Sequence, residues 1–410
     1  MNFTKRDKCL PYNVPNITDA EISEIVDTLK SGWLAKGPRT IEFEKRFADY
    51  VGAKYAVGMN SCTAALHISL LAAGIGPGDE VITTPMTFAA SANTIIHAGA
   101  TPVFADIDPL TGCINPDEIE KKLTPRTKAI VPVHYAGQAC DIDRIYEIAD
   151  KNSLFVSEDA AHALYTRYKG RMIGNNPKGA VSYSFYATKN ICTGEGGMLV
   201  TNDEKIADKA RMLVTHGMNK NAWGRYAKGG SWRYDIEEPG YKYNMFDLQA
   251  ALGLIQLKRL EDMQKKREEI AARYNVAFSQ NDALEIPAVA TYTTQHCWHL
   301  YVMKLTLDKL AITRDEFIEE LNVRNIGTSV HFIPVHLMSA YKGRFGYKEG
   351  DFPKSEEFFE RIISLPLYST MNDQDTEDVI YSVLDIVEKY HVGKDTYYEG
   401  SLHNNCVSAI

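Results

Sequence analysis

The sequence has no apolar run approaching the length of a membrane-spanning helix, so no helical membrane segment is expected. It has no excess of positive charge either. Lys and Arg number 45 against 53 Asp and Glu, a formal net charge of -8, which argues against a nucleic-acid partner. Cysteine is sparse: seven residues, an odd number, scattered, with no CxxC pair. They read as reduced thiols packed as small hydrophobes, and without clustered Cys and His spacing no metal site is expected. No GxGxxG follows the first expected strand, so nothing marks a nicotinamide dinucleotide site. No apolar signal core lies behind Met1-Asn2-Phe3-Thr4-Lys5-Arg6-Asp7, and there is no internal repeat or low-complexity segment. A cytoplasmic protein is expected.

What is present is ample apolar material. The chain has 410 residues, 45% of them hydrophobic, enough for a large core and two domains. Thr18 and Glu21 form a capping-box pattern, and Ile22, Ile25, Val26 and Leu29 repeat at helical spacing. Ser31-Gly32 ends that helix, a Trp33–Pro38 loop follows, and a second helix runs through Phe43 and Phe47. Short apolar runs then recur at Tyr55–Met59, Val81–Thr84, Thr101–Asp106, Ala129–Val133, Leu154–Val156, Val181–Phe185 and Met198–Thr201. This alternation predicts an α/β fold, a mostly parallel central sheet with helices on both faces, whose ligands sit beyond the strands' carboxyl ends. A long helix is expected from Asp247 to about Ser279, linking to a smaller α/β unit. That unit should hold a strand near His299–Leu305, a helix near Arg314–Val323, a strand near Thr328–Phe332 and a helix near Asp375–Tyr390. The expected division is a large domain over residues 1–250, a small one over 251–390 and a mobile tail over 391–410.

Several segments carry chemistry. Lys189 sits in Ser184-Phe185-Tyr186-Ala187-Thr188-Lys189-Asn190, just before Gly194-Glu195-Gly196-Gly197, and an upstream apolar run ends in Ser157-Glu158-Asp159-Ala160-Ala161-His162. A lysine amine condenses with an aldehyde, and a carboxylate can hold a pyridine nitrogen protonated. Together the two segments read as halves of a pyridoxal-phosphate site. Neighbouring strand residues face opposite ways, so either Glu158 or Asp159 can serve a given site, not both. Asn60-Ser61-Cys62-Thr63-Ala64 follows a strand and opens a helix, where free N–H groups favour a phosphate. Taken alone, it reads equally as an ordinary helix cap. Ser184 is a second phosphate candidate, and Phe88 could stack on a ring or simply pack in the core.

As a set, Ser31–Leu34, Asn60–Ala64, Thr87-Phe88, Glu158–His162, Ser184–Asn190, Gly194–Gly197 and Gly240–Met245 resemble the pyridoxal-phosphate-dependent sugar aminotransferases of the DegT/StrS type. These are a branch of the fold-type-I aspartate-aminotransferase superfamily. The resemblance runs from about Val14 to about Tyr390. It implies that Lys189 forms the Schiff base, Asp159 pairs with the pyridinium nitrogen, Phe88 stacks on the ring and His162 lies near the ring hydroxyl. Ser61, Cys62, Thr63 and Ser184 would hold the phosphate. Asn244 would reach the phosphate of a neighbouring subunit, which makes the active unit a homodimer. Trp33, His331, His336 and Trp232 would lie on the sugar-nucleotide side, with Arg233 and Tyr234 beside Trp232. Two positions depart from many relatives: Cys62 replaces glycine and His162 replaces glutamine.

The resemblance implies transfer of the amino group of L-glutamate to a nucleotide-linked 4-keto-6-deoxy sugar, with pyridoxamine phosphate as the intermediate cofactor form. The alternatives are a 3-keto sugar or a cyclitol acceptor. A regulatory or sensor relative without activity is a further alternative, and an intact Lys189 and Asp159 speak against it.

Overall fold

The computed structural model describes residues 6–218 and 234–393. Its helices are α1 (Asp19–Ser31), α2 (Pro38–Val51), α3 (Cys62–Ala72), α4 (Ala89–His97), α5 (Pro116–Lys121), α6 (Ile142–Asn152), α7 (Glu204–Leu213), α8 (Asp247–Phe278), α9 (Arg314–Val323), α10 (Ser339–Phe345), α11 (Pro353–Arg361) and α12 (Asp373–Tyr390). Its strands are β1 (Tyr55–Met59), β2 (Glu80–Thr83), β3 (Thr101–Phe104), β4 (Thr127–Val131), β5 (Phe155–Asp159), β6 (Arg167–Tyr168), β7 (Arg171–Met172), β8 (Ala180–Ser184), β9 (Gly197–Thr201), β10 (Leu284–Glu285), β11 (Thr293–Gln295), β12 (Tyr301–Leu305) and β13 (Ile362–Leu365).

The main sheet has seven strands in the order β1-β9-β8-β5-β4-β2-β3. β9 pairs antiparallel with both neighbours, and every other pairing is parallel. The strands are buried on both faces, which is why they read as continuous apolar runs rather than alternating ones. On one face Phe43 and Phe47 of α2 pack their rings against Tyr183 and Phe185, with centroids 5.1–5.4 Å apart. On the other, Ala64, Ala65 and Ile68 of α3 meet Val57, Leu199 and Leu213. α8 ties the helices together: its Asp247 accepts hydrogen bonds from the first amides of α2, at Gly37 (2.7 Å), Arg39 (3.1 Å) and Thr40 (3.0 Å).

A second core forms around the antiparallel sheet β10-β12-β13, where Ile270, Tyr274 and Phe278 of α8 meet Phe317, Leu321, Val383 and Val387. The expected strand at Thr328–Phe332 is absent. Ser329 makes one isolated bridge to Ser364, and the chain then turns away. The His331 carbonyl accepts from the Tyr135 hydroxyl. β13 takes its place beside β12.

α1 forms as expected, from Asp19 to Ser31 behind the Thr18–Glu21 capping box. Its apolar stripe does not enter the core: Ile22 is 54% and Leu29 51% exposed, and Val26 is exposed as well. The buried face is polar, because Glu21 accepts hydrogen bonds from Gln256 (2.8 Å) and from Arg259 of α8. Trp33, Leu34, Ile41 and Phe246 add to the exposed apolar surface. Among the described residues no helix is long and apolar enough to cross a membrane, and no cluster of His, Cys, Asp and Glu could hold a metal ion.

Candidate active site

A cavity of about 510 Å³ opens where the parallel strands end. It is lined by Ser61, Cys62, Thr63, Phe88, Asp159, His162, Ser184, Lys189 and His331, all singled out from the sequence, and also by Thr87, Tyr186, Thr188, Glu195 and Phe332. The topology explains the gathering. Ser61 follows β1, Phe88 follows β2, and Asp159 and Ser184 close β5 and β8, strands that run in one direction. Ligands of open α/β sheets sit at such ends.

Alternation sends the two carboxylates of β5 to different surroundings. Ser157 and Asp159 face α3 and the cavity, and Ser157 meets Ser69 of α3 at 2.6 Å. Glu158 faces away and accepts from the Tyr146 hydroxyl at 2.9 Å, and it lies 2.9 Å from His134 Nε2. Asp159 accepts from Ser91 Oγ at 2.8 Å and from the Ala161 amide at 3.1 Å. Burial raises the Asp159 pKa above its usual value. The Ala161 N–H, the Ser91 hydroxyl and the Lys189 charge oppose that rise.

Lys189 stands in a tight turn, its amide donating to the Tyr186 carbonyl at 2.9 Å. Desolvation pulls its amine down to about 8, and Cys62, Asp159 and Cys297 limit the fall. An appreciable fraction is therefore free base near neutral pH. Three histidines surround it. His162 and His299 lie 4.4 Å apart by ring centroid, and His162 and His331 6.4 Å. Burial first, and then the Lys189 charge, keep all three neutral, with His331 pushed down to about 4. The Ala136 amide donates to His162 Nδ1 at 3.3 Å, so the ring proton sits on Nε2 and His162 can donate from that nitrogen.

The opposite wall is the start of α3. Ser61 is the N-cap, and its hydroxyl accepts from the Ala64 amide at 3.1 Å. The first-turn amides of Cys62 and Thr63 lack helical acceptors, as at any helix start. The first residue of β9 approaches this turn so closely that a Cβ at Gly197 would collide with the Ser61–Cys62 peptide. That contact explains the last glycine of the Gly194–Gly197 run. Phe88, 64% exposed, presents its ring to the cavity with Phe332 at 6.1 Å. Helix-start amides for a phosphate, a buried carboxylate, an aromatic face and an amine of lowered pKa are together the donor set that pyridoxal phosphate needs.

Other residues singled out from the sequence lie elsewhere. Asn244 bridges to Met59 at the end of β1, outside the cavity lining, and its buried Oδ1 has no hydrogen-bond partner among the described residues. Trp33 is 53% exposed after α1. His336 is fully buried, with Nε2 bound to Glu356 at 2.9 Å and its ring 4.7 Å from Phe352, which corrects its expected place on the substrate side. Trp232, Arg233 and residues 394–410 lie outside the described residues. Sequence reasoning missed Ser91, His299, Tyr186, Glu195 and Phe332. Tyr186 and Glu195 carried a signal, lying within the Ser184–Asn190 and Gly194–Gly197 motifs.

The sequence matches the DegT/DnrJ/EryC1/StrS aminotransferase family over residues 15–384. It is 59% identical to the spore coat polysaccharide biosynthesis protein SpsC of Bacillus subtilis over 94% of this chain and 98% of that protein. Spr1654 from Streptococcus pneumoniae, named as a sugar aminotransferase, superposes in its PMP form with a TM-score of 0.87 at 37% identity, covering 93% of this chain and 99% of that one. Its PLP form gives 0.86. Helicobacter pylori PseC, an aminotransferase involved in the biosynthesis of pseudoaminic acid, gives 0.85 at 30% identity over 93% of this chain and all (100%) of that one. The chain therefore belongs to the DegT/DnrJ/EryC1/StrS aminotransferase family and is a pyridoxal-phosphate-dependent sugar aminotransferase.

Proposed function

We propose that the enzyme moves the amino group of L-glutamate to a nucleotide-linked 4-keto-6-deoxy sugar, giving a 4-amino sugar nucleotide for a surface polysaccharide. The observation that supports this most is the 59% identity, over nearly the full length, to a spore coat polysaccharide biosynthesis protein, together with a cavity that holds one lysine amine opposite one buried carboxylate.

When bound, pyridoxal phosphate supplies an aldehyde that condenses with amines and a ring that spreads the negative charge left when a neighbouring carbon loses its proton. The chain's residues do the rest. Lys189 is the amine that anchors the aldehyde. As a free base, that amine would take the proton from the donor's α carbon and return a proton on the acceptor side, a role suited to a pKa of about 8. Asp159, held by Ser91 and Ala161, would pair with the ring nitrogen and keep it protonated. Phe88 would stack on the ring and His162 would donate toward its hydroxyl. The α3 amides with Ser61, Cys62, Thr63 and Ser184 would hold the phosphate.

The active unit in this reading is a homodimer of cytoplasmic subunits, each with a large cofactor-binding domain and a smaller C-terminal one. The exposed apolar surface of Ile22, Leu29, Trp33, Leu34, Ile41 and Phe246 supports a second subunit there. Asn244, with its unpartnered Oδ1, is the residue offered to that subunit's phosphate. Trp33 and His331 are proposed on the sugar side. The test is to incubate the purified protein with glutamate and a panel of nucleotide keto-sugars and to identify the product by mass spectrometry and NMR. Amination at C4 is expected. Amination only at C3, or only of a cyclitol, would overturn the substrate assignment.

A further inference from the structure

The amine of Lys189 has one neighbour that its role as an anchor does not use: His299 Nε2, at 3.4 Å. A chain of hydrogen bonds behind that ring fixes its direction. Asn190 Nδ2 donates to the carbonyl of Cys297 (3.0 Å) and to Gln264 Oε1 (3.3 Å), so Asn190 Oδ1 is the atom left facing His299 Nδ1, at 3.1 Å. Gln264 is itself oriented by donating from Nε2 to Glu268 Oε1 (3.1 Å) and to the His296 carbonyl (3.3 Å). A carboxylate and backbone carbonyls only accept, so each member has a single consistent orientation. His299 Nδ1 therefore carries the ring proton, and Nε2 meets Lys189 with its lone pair. Arg267 of α8 secures the backbone at this point, donating to the carbonyls of Trp298 (3.2 Å), His299 (3.3 Å) and Leu367 (2.8 Å).

We propose that His299 is the fixed hydrogen-bond acceptor of the Lys189 amine, and that α8, through Gln264, Asn190 and Arg267, thereby aims the lysine lone pair into the cavity. The proposal rests on Lys189 being the reactive amine. His299 orients and does not relay: its Nδ1 proton is committed to Asn190. A second proton on Nε2 would be opposed by burial and by the charges of Lys189 and Arg267. The groups facing the amine are Asp159 from β5, Cys62 from α3, and Cys297, His162, His331 and His299 from the loops around them.

The test uses the full-length protein freed of cofactor, acylated across a pH series, with Lys189 modification read by mass spectrometry. In His299→Asn the amide replaces Nδ1 and leaves Lys189 without an acceptor. In His299→Gln the amide reaches the place of Nε2. A lost acceptor disfavours the ammonium, so His299→Asn should lower the midpoint of Lys189 labelling by about one pH unit. His299→Gln should stay within a few tenths of wild type. An unshifted His299→Asn, or an equal shift in both variants, overturns the proposal. Selective 15N-histidine NMR of the wild-type chain needs no variant: it should place the His299 proton on Nδ1, and a proton on Nε2 overturns the proposal independently. Labelling needs no cofactor, so failure of Lys189 to bind the aldehyde would be seen separately, as wild-type protein that takes up no coloured cofactor.

Discussion

Glu158 and Asp159 are neighbours on β5, equally buried at 4% and 5% exposure, each with a hydroxyl donor. They differ in what lies beyond. Glu158 is bound by Tyr146 and His134 and borders a separate cavity of about 400 Å³ that Lys189 does not line. Asp159 lines a cavity that also holds Lys189, and its own partners, Ser91 and Ala161, leave it facing open space. Burial of a carboxylate alone thus does not mark function. The pleat of one strand separates an acid tied to Tyr146 and His134 from one that shares a cavity with Lys189.

The comparison can be broken in four ways. The largest effect belongs to Lys189→Ala, which should cut turnover on the order of 10⁴-fold or more and remove the cofactor's visible band. Steady-state rates and absorbance check it. Asp159→Asn keeps the shape but loses the charge that holds the ring nitrogen protonated. Turnover should fall about 10²- to 10³-fold with the unfolding midpoint in urea unmoved or raised. Glu158→Gln should do the opposite, costing about 1–3 kcal/mol of stability in the same urea assay while turnover stays near wild type. If the two carboxylate variants exchanged these phenotypes, the assignment of faces would be wrong.

The smallest effect concerns pH. The Lys189 amine titrates near 8 when folded and near 10.4 when unfolded, so the unfolded chain takes up the proton first as pH falls. Stability from this group is present above the unfolded value, is lost between about 10 and 8, and is constant below. Lys189→Met escapes that loss. Its advantage over wild type in the cofactor-free protein should grow over this window to about 1–2 kcal/mol, after allowance for solvent in the cavity.

The seven strands of the main sheet were readable because burial on both faces makes them short apolar runs, and α8 because its pattern runs unbroken from Asp247 to Phe278. The small sheet was harder. The Ile362–Leu365 run is as strand-like as Thr328–Phe332, and only tertiary pairing with β12 distinguishes them. The helix α1 was readable, but not that its apolar stripe faces outward: helical periodicity locates an apolar face and does not say what covers it. In the site, residues with a local motif around them were visible in the sequence. Ser91 and His299 were not, since their meaning lies in contacts with Asp159 and Lys189 far along the chain.

The most direct measurement is borohydride reduction of the cofactor-loaded protein, followed by digestion and mass spectrometry. The account predicts a single phosphopyridoxyl group on the peptide carrying Lys189. Stoichiometric cofactor with Lys189 unmodified, or the group on any other lysine, would contradict it.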